Sequence, residues 1–190
     1  MKYYLDTEFI EAPNTIDLIS IGIKCEDGRT FYAESTCFDE RKASKWVKEN
    51  VITKLRWYGN VNSTKGFCNV SENMDTGVTE VFGTLDVIRD SLLDFIDATK
   101  NDPPEFWAYY ADYDWVVFCW LLGTMMDLPQ YYPMYCKDLK QLSDELNAPH
   151  FQEPKGEHDA LIDAVWNEKL HEFLTGINRI GASKKENENG

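Results

Sequence analysis

Tyr3-Tyr4-Leu5-Asp6-Thr7-Glu8-Phe9-Ile10 sets two carboxylates, one residue apart, on a short apolar run. Aromatic and apolar residues around Leu5 suit a buried strand. Residues i and i+2 of a strand face the same way, so Asp6 and Glu8 aim at one spot. Mg²⁺ and Mn²⁺ favour carboxylate oxygens, and Mg²⁺ commonly sits on one or two carboxylates plus substrate phosphate. Acidic pairs are also common on solvated strand ends. What the pair means therefore depends on the rest of the chain.

Glu157-His158-Asp159-Ala160-Leu161-Ile162-Asp163-Ala164 stands far downstream. Leu161, Ile162, Val165, Trp166, Leu170 and Phe173 follow a helical period. Asp159, just before that run, is a good N-cap, because its side chain can accept the first free backbone N–H groups. Five helical steps at ~100° each would turn a wholly helical His158 and Asp163 apart, whereas a loop-borne His158 can fold back beside Asp163. Ala160 and Ala164 flank Asp163 with small side chains that let the helix approach a strand closely. A third stretch runs from Glu105 to Phe118. Its residues to Tyr110 read as a buried strand and those from Trp115 to Met125 as a buried helix. Asp112 and Asp114 stand at the junction, where either could cap the helix.

Three motifs in this order resemble those of the DEDDh 3′–5′ exonuclease superfamily: Asp-x-Glu on the first strand, Tyr113-Asp114 opening a helix, and His158-Asp159-Ala160-Leu161-Ile162-Asp163 near the end. The opening Tyr-Leu-Asp-Thr-Glu-Phe-Ile-Glu, with Ile16-Asp17-Leu18-Ile19-Ser20-Ile21-Gly22 after it, looks closer still to the ribonuclease AS-type branch of 3′–5′ exoribonucleases. The resemblance spans roughly residues 1–175. It implies metal-binding acids at Asp6, Glu8, Asp114 and Asp163 and a general base at His158, with Asp112 the alternative to Asp114. It also implies a ribonuclease H-like α/β fold, a mixed five-stranded sheet flanked by helices. The expected cofactor is a pair of Mg²⁺ ions, with Mn²⁺ able to substitute. The expected products are nucleoside 5′-monophosphates released from single-stranded 3′ ends, RNA before DNA. An exodeoxyribonuclease with the same site and a silent nucleic-acid-binding module of this fold are the alternatives.

The chemistry accounts for these residue types. Four convergent carboxylates repel one another and resist full ionisation. Two divalent cations remove that conflict and can stabilise both the attacking and the leaving oxygen of an in-line displacement. A histidine with an unperturbed pKa of about 6.5 suits proton abstraction near neutrality. No phosphate loop, dinucleotide fingerprint or Ser/His/Asp triad competes. Thr7, Phe9 and Trp115, each next to one of the acids, are the candidate contacts to the terminal sugar and bases, since unpaired bases stack on aromatic faces at ~1–3 kcal/mol each.

With 190 residues the chain suits one domain, assigned to 1–177, with a polar, low-complexity tail at 178–190 expected to be disordered. Five scattered cysteines without CxxC spacing suit a reducing cytoplasm and argue against zinc. No signal-peptide pattern or 18-residue apolar run is evident, so no membrane association is expected. A net charge of −14 is the wrong sign for gripping a long phosphate backbone. It suits short engagement at a chain end.

The expected element order is strands at 2–6, 16–24 and 30–35, a helix near 40–50, and a polar stretch from 58 to 77. That stretch could form a lid, or an arm reaching the partner of a homodimer. A helix near 80–99, a strand at 105–110, a helix at 114–126 and an extended segment at 132–136 follow. Helices at 138–146 and 160–175 close the chain. Lys42, Lys45 and Lys48 recur at helical spacing and read as a solvated face.

Overall fold

A computed structural model describes residues 1–59, 68–73 and 75–188, with side chains through Asn178. Its centre is β1 (Lys2–Ala12), which pairs antiparallel with β2 (Thr15–Cys25) and parallel with β6 (Glu105–Ala108). β2 continues into β3 (Thr30–Ser35), and β5 (Val78–Gly83) lies parallel to β3. The turn between β1 and β2 uses Asn14 at φ 62, and Gly28 at φ 103 serves the next one. Asn and Gly tolerate that left-handed backbone, which accounts for the turn positions read from the sequence.

Two strands enlarge the expected sheet, β5 itself and β4 (Asn69–Asn73), antiparallel to it, while the extended segment expected at 132–136 becomes a strand only at β7 (Lys137–Asp138), parallel to β6. Among the described residues the sheet therefore has seven strands, not five, in the order β4-β5-β3-β2-β1-β6-β7. The strand β5 occupies the start of the expected 80–99 helix. Val81 sits four residues before Leu85 and so matches the helical stripe, yet it belongs to the strand core. Short apolar runs satisfy both periods, and strand pairing with β3 decides between them. Within the 58–77 stretch, residues 60–67 and 74 lie outside the described residues, so the lid and arm readings there stay with them.

Helices cover both faces. On one, α2 (Leu85–Phe95) and α3 (Asp112–Leu122) pack against Tyr3, Leu5, Ile21, Ile23, Phe31 and Phe106. On the other, α4 (Leu139–Glu145) and α5 (Ala160–Glu188) pack through Leu139, Trp166, Leu170 and Leu174. Strand alternation separates the two sets: Tyr3 and Leu5 face α2 and α3, while the Tyr4 hydroxyl meets His171 of α5 at 2.8 Å. The short α1 (Lys45–Asn50) covers a third cluster around Ile10, Ile19 and Val51. Ser44 caps it and separates it from a 3₁₀ turn at Glu40–Lys42, so the expected 40–50 helix is broken there. Helix α5 continues to Glu188 through the stretch expected to be disordered, whose alanine, lysines and glutamates are good helix formers. Among the described residues, no helix is long and apolar enough to cross a membrane, and all five cysteines are free.

Candidate active site

Asp6 and Glu8 pair with Gly22 and Ser20 across β1 and β2, and the register shifts immediately after Glu8. Such bulges re-aim side chains and recur beside active sites. Gly22 has a second role. A Cβ there would stand 2.2 Å from the carbonyl oxygen of Ala160, so the first turn of α5 rests directly on β2 beside Asp6. Ala160 and Ala164 are fully buried at this contact, as their small size foretells.

The entry into α5 follows the reading of Asp159 as its cap: its carboxylate accepts the N–H groups of Leu161 and Ile162 at 3.0 and 3.1 Å. His158 takes φ 67 just outside the helix and donates its backbone N–H to Asp163 Oδ2 at 2.7 Å. The loop-borne histidine thus folds back on Asp163, with its Nδ1 3.8 Å from Glu8 Oε1. Glu8, His158 and Asp163 each offer a ligand atom within 4.8 Å of the others.

Asp114 arrives from the opposite face of the sheet. It is the third residue of α3 and only 6% exposed. Its Oδ1 accepts both the backbone N–H and the hydroxyl of Thr7, at 2.8 and 2.6 Å. The residue between the paired acids therefore anchors a third acid; Thr7 is buried, lines the cavity and donates its hydroxyl to Asp114. Neither Asp112 nor Asp114 caps α3. Ala111 holds the cap position, and its N–H donates to Asp138 Oδ2 at 2.8 Å. Asp112 is exposed and lies outside the cavity lining, which leaves Asp114 as the acid in the site.

The four acids line one open cavity of about 600 Å³. Burial, then the neighbouring Asp114, Glu8 and Asp163, push Asp6 well above the usual carboxylate range. Burial, then Asp163 and Asp114, push Glu8 up to about 8, with Lys54 offsetting part of the rise. Burial lifts Asp163 to about 6 against the pull of the His158 N–H. Asp114 is also raised, chiefly by burial, against the two Thr7 hydrogen bonds. Burial and then Lys54 lower His158 from its ordinary value, so its imidazole is neutral near pH 7. Among the described residues, no lysine or arginine lines the cavity. A set of hard oxygen donors whose mutual repulsion is only partly offset fits Mg²⁺ or Mn²⁺.

The aromatic rim only partly follows expectation. Phe9 lines the cavity and packs on Tyr113 at 5.7 Å between ring centres. Trp115 does not line it; that ring stacks on Phe118 and Phe106 in the core. Its place goes to Tyr110, 63% exposed, and Trp46, 53% exposed and edge-on to His158 at 4.7 Å. Buried Asn167 lies one turn beyond Asp163 and donates to the Leu5 carbonyl at 3.0 Å, tying α5 to β1. Its i+4 spacing from Asp163 was visible in the sequence. The approach of Trp46 to His158, across 112 positions, was not.

Residues 1–175 match a family described as the 3′-5′ exoribonuclease Rv2179c-like domain. The chain is 36% identical over 182 residues to the 3′-5′ exoribonuclease Rv2179c of Mycobacterium tuberculosis strain ATCC 25618 / H37Rv. The match covers 95% of this chain and 97% of that protein. The 3′-5′ exoribonuclease MT2234.1 of strain CDC 1551 / Oshkosh is similar to the same extent.

Proposed function

This chain belongs to the family of Rv2179c-like 3′–5′ exoribonuclease domains, and from that premise we propose a divalent-metal-dependent hydrolase that removes nucleoside 5′-monophosphates from single-stranded RNA 3′ ends. The observation that carries the reading is the meeting of Asp6, Glu8, Asp114, Asp163 and His158 on one cavity. We assign the chain to the DEDDh type and read the sheet around β1 as ribonuclease H-like.

Asp6, Glu8, Asp114 and Asp163 would hold two Mg²⁺ ions. When bound, these offset the four negative charges and stabilise the attacking and leaving oxygens of an in-line displacement. Neutral His158 accepts a proton from the attacking water as the new P–O bond forms and the bond to the 3′ oxygen of the penultimate nucleotide breaks. Asp163 orients this base by holding its backbone N–H, and Trp46 packs edge-on against the ring. Thr7 fixes Asp114. Phe9, Tyr110 and Tyr113 offer faces for unpaired bases.

Digestion of 5′-labelled RNA and DNA strands of equal sequence, in Mg²⁺, Mn²⁺ or EDTA, tests the proposal. The expected result is a ladder shortening one nucleotide at a time, faster on RNA, stopping at duplex and absent in EDTA. Cleavage of a circular single strand, or full activity in EDTA, would overturn it.

A further inference from the structure

We infer that the groove between residues 151–155 and the outer face of α5 seats the sugar–phosphate backbone of the strand on the 5′ side of the scissile nucleotide. The inference rests on the exoribonuclease reading above and adds a binding site to it. The groove has a volume of about 540 Å³ and shares Glu153 and Trp166 with the catalytic cavity, so the two are continuous. The sign of the charge inverts between them. Among the described residues, seven carboxylates and no lysine or arginine line the cavity, whereas Arg56, Lys155 and Lys169 face the groove with Glu153 as its one acid.

That inversion stands out in a chain with 33 acidic residues against 19 lysines and arginines. Arg56 is already committed to Glu80 and Asp159 at the rim. Lys155 and Lys169 are exposed, and neither enters a salt bridge among the described residues. A phosphate passing from the acidic cavity into the groove meets these two lysines. The walls are preformed. The Trp166 indole N–H donates to the Gln152 carbonyl at 2.8 Å, and the Phe151 ring packs on Trp166 and Phe173, which pins the 151–155 segment to α5. Pro154, Leu161, Ile162 and Val165 supply apolar surface between the lysines, suited to sugar and base faces.

Binding of fluorescein-labelled single-stranded RNA of two and of ten nucleotides, followed by anisotropy in an Asp6→Asn background, tests the site whether or not the chain cleaves RNA. The ten-nucleotide strand should bind tighter than the dinucleotide. Lys155→Glu with Lys169→Glu should remove about tenfold of that affinity, with a several-fold smaller effect on the dinucleotide. Each phosphate contact contributes about 0.7 to the salt slope on single strands, so the double variant should flatten the slope by about one to one and a half. Equal loss at both lengths, an unchanged salt slope, or no gain from length in the Asp6→Asn protein overturns the groove. Failure of the unsubstituted protein to hydrolyse any RNA would overturn the proposed function instead, and the binding result would still decide the groove.

Discussion

Asp6 carries two opposing effects on one side chain. In the proposed metal site its charge would hold cations, and the same charge sits among three other acids in a buried place. Asp6→Asn should therefore abolish hydrolysis while raising the metal-free Tm. A gain of ~1 kcal/mol corresponds to about 2–4 °C for a chain this size. Calorimetry should show weakened Mn²⁺ binding; a variant that keeps both activity and Mn²⁺ affinity removes Asp6 from the site. His158 differs, because its ring lies at the edge of the acid cluster and is held neutral. His158→Ala should lower kcat by roughly 10²–10⁴, the usual range for a lost general base. Its Mn²⁺ affinity should stay near that of the parent, since Asp6, Glu8, Asp114 and Asp163 remain. A main defect in metal binding would move His158 from base to ligand.

The docking of α5 on β2 is the element-scale event that assembles the site. Gly22 is its hinge point: a side chain there meets the Ala160 backbone, which cannot yield as a flexible side-chain tip could. Gly22→Ala should destabilise by about 3 kcal/mol or more, at or beyond the upper end of ordinary overpacking. Activity should fall further than stability, because the displaced turn carries Asp163 and follows His158. Gly176→Ala is the matched control within α5, with no atom within 4 Å of the added Cβ. It should stabilise by about 0.5–1 kcal/mol through helix propensity alone. Urea unfolding of both variants separates the two effects; equal behaviour would show that the Gly22 contact is not tight.

Across the molecule, the acid cluster should make stability depend on pH and, if the proposed metals bind, on divalent cations together. Glu8 rises from 4.5 to about 8 and Asp163 from 3.8 to about 6. Raised carboxyl pKa values mean that the folded site binds protons more tightly than the unfolded chain. The stability these groups contribute is thus complete below about pH 4 and is lost as the pH climbs through about 6 and then about 8. In EDTA, Tm should fall from pH 5 to pH 8, and saturating Mg²⁺ should restore most of the loss at pH 8 by binding the ionised site. Glu8→Gln should make the fall shallower. A metal-free Tm that is level across this range, or equally steep in Glu8→Gln, would show that the cluster does not govern it.

Local chemistry settled much in advance. The i, i+2 acids on β1, the Asp159 cap and the small alanines of α5 are short-range patterns, and strand period, capping and side-chain size act within a few residues. Hence the three motifs, the order of the major elements and the histidine folding back on Asp163 were legible from the sequence alone. What the chain alone left open depended on distant partners. Val81 fits a helix stripe until β3 supplies a strand to pair with it. That Thr7 holds Asp114 is apparent only once α3 delivers that acid to its hydroxyl. Trp115 looks like a base platform until its ring packs on Phe106 and Phe118, while Trp46 reaches His158 from a distant part of the chain. Pairing, burial and like-charge repulsion depend on distance in space, and only the tertiary fold decides which residues come near enough to feel them.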